Sequence, residues 1–405
     1  MLNTFQQQFH AMIPDTSHDE RSRQEFAKSF KQFIQADLLP GLYPSYAAGS
    51  AQFAEQNGRP PADRREVRRF MIEKPGFQTY ASANRVAQEL LWESVVTSIE
   101  RQHSMLNSKA AELSANANGN LHIDADFETP RYVTALDIHC MPGGYANEAT
   151  PDDVAVGALY DRGVYLYAMG YMGPTNDDMG RSVCNYVRRK IPAFTPRDIL
   201  DLGCTVGHST LPYKEAWPDA NVTGIDVGAP VLRYAHARAQ ALDVAVNFAQ
   251  RDATATGYAD ASFDLIVSHI LLHETSAKAM PQVFDECYRL LRPGGIMIHA
   301  DLPPFDHSDL FSEFILDNET HYNNEPFWGA MRDKDQIAMA VAAGFDKDAI
   351  HFDTAPMAVL EFAAANASGY DDDNVAEVAD RDFEAGEFAP GGGWEVLVAR
   401  KQESR

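Results

Sequence analysis

The chain has 405 residues, with 58 acidic against 34 basic side chains and a formal net charge of -24. That length exceeds what one hydrophobic core usually organises, so we expect at least two domains. The negative charge argues against nucleic-acid and anionic-membrane partners, because both recruit clustered Lys and Arg. No uncharged apolar run approaches the roughly 20 residues that span a bilayer, and no secretory leader is recognisable. We therefore expect a soluble, unprocessed protein with no nucleic-acid or membrane partner.

The cysteines are few and scattered: Cys140, Cys184, Cys204 and Cys287. They show neither C-x-x-C spacing nor the density of a disulfide framework. Because disulfides are rare where thiols are kept reduced, this pattern predicts a cytoplasmic location.

The first third of the chain has the apolar spacing of amphipathic helices. One stripe ends at Pro40 and Gly41 and consists of Phe26, Phe30, Phe33, Ile34 and Leu38. A second, longer stripe consists of Val86, Leu90, Val95 and Ile99, with Trp92 beside it. We interpret these apolar side chains as core. Residues 1–178 are thus predicted to form a mainly helical N-terminal domain.

Three segments of this region have other patterns. The arginine-rich residues 59–70 are interpreted as a solvated helix face, with an anion site as the alternative. Residues 107–130 lose periodicity and gain Asn, Gly and Asp, which predicts a linker or irregular loop. The following segment, "RYVTALDIHCMPGGY", is predicted to be a strand that ends in a turn.

From residue 198 onward, strand-like and helix-like segments alternate. The strand-like ones are "DILDLG", "NVTGIDV", "VAVNFAQRD", "FDLIVSH" and "GIMIHADL". This alternation predicts an α/β fold in which helices cover both faces of a parallel sheet. In such sheets a ligand binds outside the carboxyl ends of the strands, so the strand ends are the informative positions.

Three successive strand ends carry a glycine turn, an acid and a second acid. The turn spans Gly203 to Gly207, Asp226 follows the second strand, and Asp252 follows the third. A dinucleotide site needs G-x-G-x-x-G, which this turn lacks. A carboxylate at Asp226 is suited to accept hydrogen bonds from a ribose diol, and Asp252 is placed to accept from an exocyclic amine.

This arrangement resembles the class I S-adenosylmethionine-dependent methyltransferases over roughly residues 179–401. The E/D-x-G-x-G-x-G turn of that family is matched by Asp201, Gly203, Thr205 and Gly207, with Thr205 in place of the middle glycine. "LLRPGGIMIHAD" (residues 290–301) matches the entry into the fifth strand. Among small-molecule enzymes, those of the ubiquinone and menaquinone type are the most similar subgroup.

The resemblance implies a Rossmann-like seven-stranded methyltransferase sheet in residues 179–405 and S-adenosyl-L-methionine as cofactor. The cofactor-binding residues that it implies are Asp201, Gly203, Cys204, Thr205, Gly207, Asp226, Val227, Asp252, Ala253 and Ser268. It also places substrate contacts at Tyr167, Tyr171, Tyr322 and Trp328, although core packing explains each aromatic equally well. An acidic insertion (residues 368–388) between the last two strands either covers the site or is a solvated loop.

The end of the fourth strand carries two histidines, His269 and His273. An imidazole titrates near neutral pH and is suited to take a proton from a methyl acceptor, so either is a candidate general base. Alternatively, His269 contacts the cofactor and His273 lines a helix. We predict no metal here, because these histidines and Glu274 lack the H-E-x-x-H order and a third ligand.

The leading hypothesis is methyl transfer to a small-molecule acceptor on oxygen, carbon, nitrogen or sulfur. A non-catalytic S-adenosylmethionine-binding regulatory protein is the first alternative, and a nicotinamide-dependent oxidoreductase, which lacks its glycine fingerprint here, is the second. The N-terminal helices are predicted to close the acceptor pocket, to form a homodimer interface, or both. The identity of the acceptor is not encoded in any recognisable motif.

Overall fold

A computed structural model describes residues 6–305, 308–367 and 392–403. The acidic insertion predicted at residues 368–388 lies outside these described residues. The strands are β1 (Leu121–His122), β2 (Asp198–Leu202), β3 (Asn221–Asp226), β4 (Asn247–Gln250), β5 (Phe263–His269), β6 (Leu291–Ala300), β7 (Ile350–Pro356) and β8 (Gly393–Arg400).

Helices precede the sheet, cover it and follow it. Those before β2 are α1 (His18–Phe33), α2 (Tyr43–Asn57), α3 (Arg64–Met71), α4 (Pro75–Glu100), α5 (His103–Ala115), α6 (Arg131–Thr134), α7 (Ala155–Tyr167) and α8 (Asp178–Lys190). Those after it are α9 (Leu211–Ala216), α10 (Ala229–Ala241), α11 (Ala279–Leu290), α12 (Leu310–Leu316), α13 (Asn318–Tyr322), α14 (Trp328–Arg332), α15 (Gln336–Ala343) and α16 (Ala358–Ala367).

The sheet has the order β1-β4-β3-β2-β5-β6-β8-β7. Strand β8 pairs antiparallel with both β6 and β7, and the other pairs are parallel. The predicted α/β sheet is confirmed, and its last two strands, β7 and β8, form an antiparallel pair. Because the strand order reverses between β2 and β5, the carboxyl ends of these strands border the expected ligand crevice.

Residues 179–405 contribute seven strands, as predicted, but the described residues form an eighth that lies outside that range. The additional strand, Leu121–His122, pairs in parallel with β4 at the edge of the sheet. It lies in the segment that we expected to be a linker, which also contains most of α5. Two residues are too few to produce a periodic pattern, so pairing with β4 is what makes this segment a strand.

The strand predicted over residues 131–145 is also wrong. This segment forms α6 and then a 3-10 turn, Ile138–Cys140, in which His139 and Cys140 have positive φ angles of 55° and 58°. The side chains of Gln88 and Trp92 donate to the carbonyl oxygen of His139 at 2.9 and 2.7 Å. Two donors from α4 thus hold a backbone conformation that the local sequence does not favour.

The predicted N-terminal helices exist, but part of their predicted core is exposed. Phe26, Phe33 and Val86 are 60%, 47% and 53% exposed. Helix α1 instead turns Gln24 and Lys31 towards α4, where Gln24 contacts Ser94 and Ser98 and Lys31 donates to Gln88 at 2.8 Å. The spacing of apolar residues therefore did not predict the buried face of α1, because polar side chains make the contacts on that face.

The arginine-rich segment forms helix α3, as predicted, but Arg64 is not solvated. This guanidinium is 10% exposed and contacts two carboxylates, Asp333 at 2.7 Å and Asp317 at 3.3 Å. The interpretation as a solvated face therefore fails at this residue, because its partners come from the C-terminal half of the chain.

Hydrophobic side chains cover both faces of the sheet, and a third cluster joins the N-terminal helices to α10. In that cluster, Leu91 and Trp92 of α4, Leu159 of α7 and Tyr234 of α10 share one buried environment. Gly157 lies directly against Tyr234: a Cβ at this glycine would come within 2.2 Å of the tyrosine Cβ. The helices before residue 179 therefore share a core with the sheet domain.

No helix of the described residues has both the length and the apolarity to cross a membrane.

A buried carboxylate lies at the centre of this junction. Asp161 of α7 is 1% exposed and contacts His10 at 3.0 Å, His208 at 2.9 Å and Arg238 at 3.2 Å. The hydroxyl of Tyr234 also donates to it at 2.9 Å. Burial raises the pKa of Asp161, but Arg238 and His208 outweigh this effect and hold it well below the ordinary value.

We predict that Asp161→Asn destabilises the protein by about 3–5 kcal/mol, because it leaves the buried Arg238 without its counter-charge. The free energy of unfolding from urea titration measures the effect. The control is Asp260→Asn, which removes an exposed partner of Arg289 and should cost less than about 1 kcal/mol. Equal losses in the two variants would contradict the central role of Asp161.

Candidate active site

The turn after β2 adopts the left-handed backbone that its glycines favour. Gly203, Thr205 and Gly207 have φ angles of 70°, 42° and 76°. A Cβ at Gly203 would lie 2.7 Å from Leu271 Cδ1, so this position requires glycine. Thr205 has a left-handed φ as well, and this backbone conformation is strained because its side chain is β-branched. Its amide donates to Asp226 Oδ2 at 3.0 Å, which helps to hold the turn.

Asp226 ends β3 directly beside this turn. It is 7% exposed and accepts a second backbone hydrogen bond from the amide of Gly228 at 2.8 Å. Burial raises the pKa of Asp226 to about 6, although the backbone hydrogen bonds oppose the shift. Asp252, after β4, accepts from the amide and hydroxyl of Thr254 at 2.8 and 2.7 Å. Both carboxylates line one cavity at the carboxyl edge of the sheet.

The cavity collects most of the predicted cofactor residues. Those that line it are Asp201, Gly203, Cys204, Thr205, Asp226, Val227, Asp252, Ala253 and His269. The remaining predicted residues are outside its lining: Gly207, Ser268, His273, Tyr167, Tyr171, Tyr322 and Trp328.

The contacts of three of these outer residues explain their positions. Ser268 is buried and bonds His299 Nδ1 at 2.6 Å. The hydroxyl of Tyr322 accepts from Arg68 at 3.1 Å, on the side of α3. Trp328 is fully buried and packs edge-on against the ring of His273, with centroids 5.0 Å apart. The predicted substrate contacts Tyr322 and Trp328 are thus not part of the lining of this cavity.

Several lining residues are absent from the sequence-based set. The region before residue 179 contributes Tyr132, His139, Tyr145 and Tyr160, and the glycine turn itself contributes His208. The tyrosine-rich composition around residue 160 was a usable signal, as was a histidine directly after Gly207. Nothing in the sequence pattern indicated His139, because its place depends on the turn that α4 holds.

His269 lies at the end of β5 with both ring nitrogens engaged. Nδ1 contacts Asp201 Oδ1 at 3.1 Å, and Nε2 contacts the hydroxyl of Tyr213 at 3.0 Å. Asp201 also accepts from Thr210 at 2.5 Å. The ring therefore links β2, directly before the glycine turn, with β5 and α9.

A second histidine group lies deeper, around His273 and His139. His273 Nδ1 contacts Asp301 at 2.7 Å, while His139 contacts Glu274 through Nε2 at 2.9 Å and Glu325 through Nδ1 at 2.8 Å. Burial lowers the pKa of His139, but Glu325 and Glu274 outweigh it and raise the pKa well above the usual value. The hydroxyl of Tyr145 also donates to Glu274 at 2.9 Å.

Comparison with known proteins assigns the central part of the chain. Residues 199–295 match the family model described as a methyltransferase domain. The tRNA N(3)-methylcytidine methyltransferase Mettl2 of Drosophila melanogaster is 33% identical over 121 residues, 28% of this chain and 37% of that protein. The demethylmenaquinone methyltransferase of Thermus thermophilus is 34% identical over 109 residues, 27% of this chain and 49% of that protein.

A third relative and the solved structures extend the comparison. The phosphoethanolamine N-methyltransferase 1 of Arabidopsis thaliana is 31% identical over 135 residues, 33% of this chain and 27% of that protein. This chain spans less than half the length of each of these three relatives. The phosphoethanolamine N-methyltransferase 2 of Haemonchus contortus with S-adenosyl-L-methionine has a TM-score of 0.41 at 19% identity, over 60% of this chain and 57% of that one.

The geometry of the cavity fits this cofactor. The backbone of the glycine turn lines the cavity, because Leu271 leaves no room for a side chain at Gly203, and the buried Asp226 lies next to it at the neighbouring strand end. The family match and the named relatives support a S-adenosylmethionine-dependent methyltransferase domain in this chain, with S-adenosylmethionine as its cofactor. The quinone-type subgroup is only one of several acceptor classes among the relatives.

We predict that cofactor affinity depends on pH through Asp226. As the expected ribose ligand, Asp226 would accept from the hydroxyls only as an ionised carboxylate, so protonation near pH 6 would remove an acceptor. Affinity should be level above about pH 6 and fall by up to about tenfold for each pH unit below it. Calorimetry with S-adenosylmethionine at pH 5 to 8 measures this dependence.

The control is Asp226→Asn, which carries no charge at any of these pH values. It should bind the cofactor about tenfold or more weakly at pH 7 and show little change with pH. Equal affinity of folded wild-type protein at pH 5 and pH 7 would exclude Asp226 as the ribose ligand.

Proposed function

We propose that this protein transfers a methyl group from S-adenosylmethionine to a small-molecule acceptor by in-line displacement. The observation that carries the proposal is the shared cavity: its lining combines the glycine turn and Asp226 at the strand ends with Tyr132, Tyr145 and Tyr160 from the region before residue 179. One cavity thus provides room for a donor at the strand ends and for an acceptor under the rings.

The chain's own residues bind the cofactor, orient the acceptor and enclose both. Asp226 accepts from the ribose hydroxyls, and Asp252 with Ala253 borders the adenine. Bound S-adenosylmethionine supplies a methyl group on a cationic sulfonium, which is already a good leaving group. The main task of the protein is therefore to hold the acceptor in line with that bond and to exclude water.

The acceptor side has an apolar and partly buried character. Burial raises the pKa values of Tyr132 and Tyr160 to about 12, so both phenols stay neutral and act as hydrogen-bond donors at physiological pH. A negative overall charge of -24 disfavours a long polyanionic acceptor. These features favour a small molecule over a tRNA, although one relative acts on tRNA.

The location proposed for the protein is the cytoplasm. All four cysteines are buried free thiols, which suits a reducing compartment. We retain the homodimer as a proposal only; the exposed Phe26 and Phe33 of α1 are the side chains available for it.

We propose that His269 positions the turn and is not a general base. Both of its nitrogens have partners within 3.1 Å, so neither is free to take a proton from an acceptor. His269→Asn keeps a donor for Asp201, and we expect turnover at saturating cofactor to fall less than about tenfold with an unchanged shape of the pH–rate profile. Loss of a general base costs about a hundredfold or more. If His269→Asn lowers turnover by that much and removes one limb of the pH–rate profile, His269 is a general base after all.

The acceptor class is tested with the full chain and S-adenosylmethionine that is isotopically labelled in its methyl group. The labelled cofactor is offered with a small-metabolite extract, a tRNA fraction and a protein fraction, and the product is identified by mass spectrometry. We expect label in the small-metabolite fraction, and Asp226→Asn should reduce it. Label in tRNA alone would contradict the small-molecule acceptor. Cofactor binding with no label in any fraction would favour a regulatory protein.

A further inference from the structure

We propose that His139, His273 and Glu325 form a binding site for a divalent first-row transition-metal ion, with Zn²⁺ as the reference ion. One potential ligand atom from each of the three residues lies within 4.8 Å of the other two. The three come from the turn after α6, the 3-10 turn Leu272–Glu274 that follows β5, and the segment before α14, so no sequence spacing joins them. The sequence-based expectation of no metal considered only neighbours in the chain.

Two buried atoms of this cluster have no hydrogen-bond partner. They are Nε2 of His273, whose side chain is fully buried, and Oε2 of Glu325, whose side chain is 1% exposed. The two atoms lie 4.0 Å apart. Buried polar atoms are normally paired, so a polar species between them is the simplest account of the pair. An ion bonded to each at about 2.1 Å holds such ligands about 3.4 Å apart, which requires only a small side-chain adjustment.

The surrounding contacts orient the ligands as in known metal centres. The other ring nitrogen of His273, Nδ1, donates its N–H to Asp301 at 2.7 Å. This carboxylate–histidine arrangement is typical of metal-binding histidines. Glu325 accepts from Asn323 at 2.6 Å. His139 keeps a carboxylate on its second side, since its Nε2 lies 2.9 Å from Glu274. Each ligand is thus fixed by a residue that would not itself need to bind the ion.

The backbone of His139 adds an independent observation. Its φ of 55° is left-handed, and donors from Gln88 and Trp92 hold its carbonyl oxygen. Such a conformation in a non-glycine residue persists only where the surroundings impose it, and it is concentrated at functional sites. The strained turn is what brings this imidazole beside Glu325.

The ligand chemistry selects the class of ion. Two imidazoles and a carboxylate suit Zn²⁺ and its first-row neighbours, whereas Mg²⁺ and Ca²⁺ prefer oxygen ligands only. His139 and Glu274 line the cavity, which provides a route of entry for the ion. The alternative to a metal ion is a doubly protonated His139, whose two N–H groups donate to Glu274 and Glu325.

The test is metal binding by the full chain, which requires neither cofactor nor acceptor and so fails or succeeds independently of methyl transfer. Chelator-treated protein is titrated with Zn²⁺ by calorimetry, and bound metal is counted by elemental analysis. We expect one Zn²⁺ per chain and visible ligand-field bands when Co²⁺ is used instead. His273→Gln and Glu325→Gln should each weaken binding by at least about tenfold.

The matched control is His321→Gln, because His321 is 40% exposed and outside the cluster; its Zn²⁺ affinity should stay within about twofold of wild type. Equal binding by the cluster variants and the control would assign the metal to surface histidines and overturn the site. If circular dichroism shows that the cluster variants do not fold, Asp301→Asn and the Co²⁺ bands of wild type decide. If folded wild-type protein shows no such bands, or no saturable Zn²⁺ site, the proposal is refuted. The cluster is then explained by a protonated His139 between Glu274 and Glu325.

Discussion

The fold depends on the buried carboxylate of Asp161. An ionised group with almost no exposure is stable only if charges and donors compensate it, and here they come from distant parts of the chain: His10 near the start, His208 after the glycine turn, and Tyr234 and Arg238 on α10. One side chain therefore fixes the N-terminal segment, the turn after β2 and the helix after β3 relative to one another. The position of the cofactor turn is a consequence of that compensation as much as of its own glycines.

The same principle operates at the acceptor side of the cavity. Helix α4 clamps the carbonyl of His139 through Gln88 and Trp92, and His139 then meets Glu274 and Glu325. The helical region before residue 179 thus contributes side chains to the cavity and supports their geometry. These polar contacts and the hydrophobic cluster around Trp92, Leu159 and Tyr234 together join it to the rest of the protein.

The two histidines at the end of β5 illustrate how environment separates similar residues. His269 is saturated by Asp201 and Tyr213, whereas His273 has one nitrogen on Asp301 and another without a partner. They lie only four positions apart in the sequence, yet one joins β2 to α9 and the other faces a buried cluster. A role for either imidazole depends on which atoms are free, and this is a property of the packing.

The sequence by itself determined the sheet domain and its cofactor edge. The alternation of strands and helices, the Gly203 turn, Asp226 and Asp252 can each be recognised from the local sequence. Because the carboxyl ends of parallel strands lie at the same edge of a sheet, the sequence also predicts that the turn and the two acids meet there. The tertiary structure alone decided the edge strand at Leu121–His122, the buried face of α1 and the left-handed turn at His139. Each of these depends on partners more than 40 residues away in the chain, and no local propensity encodes which distant donor or strand will be there to stabilise it.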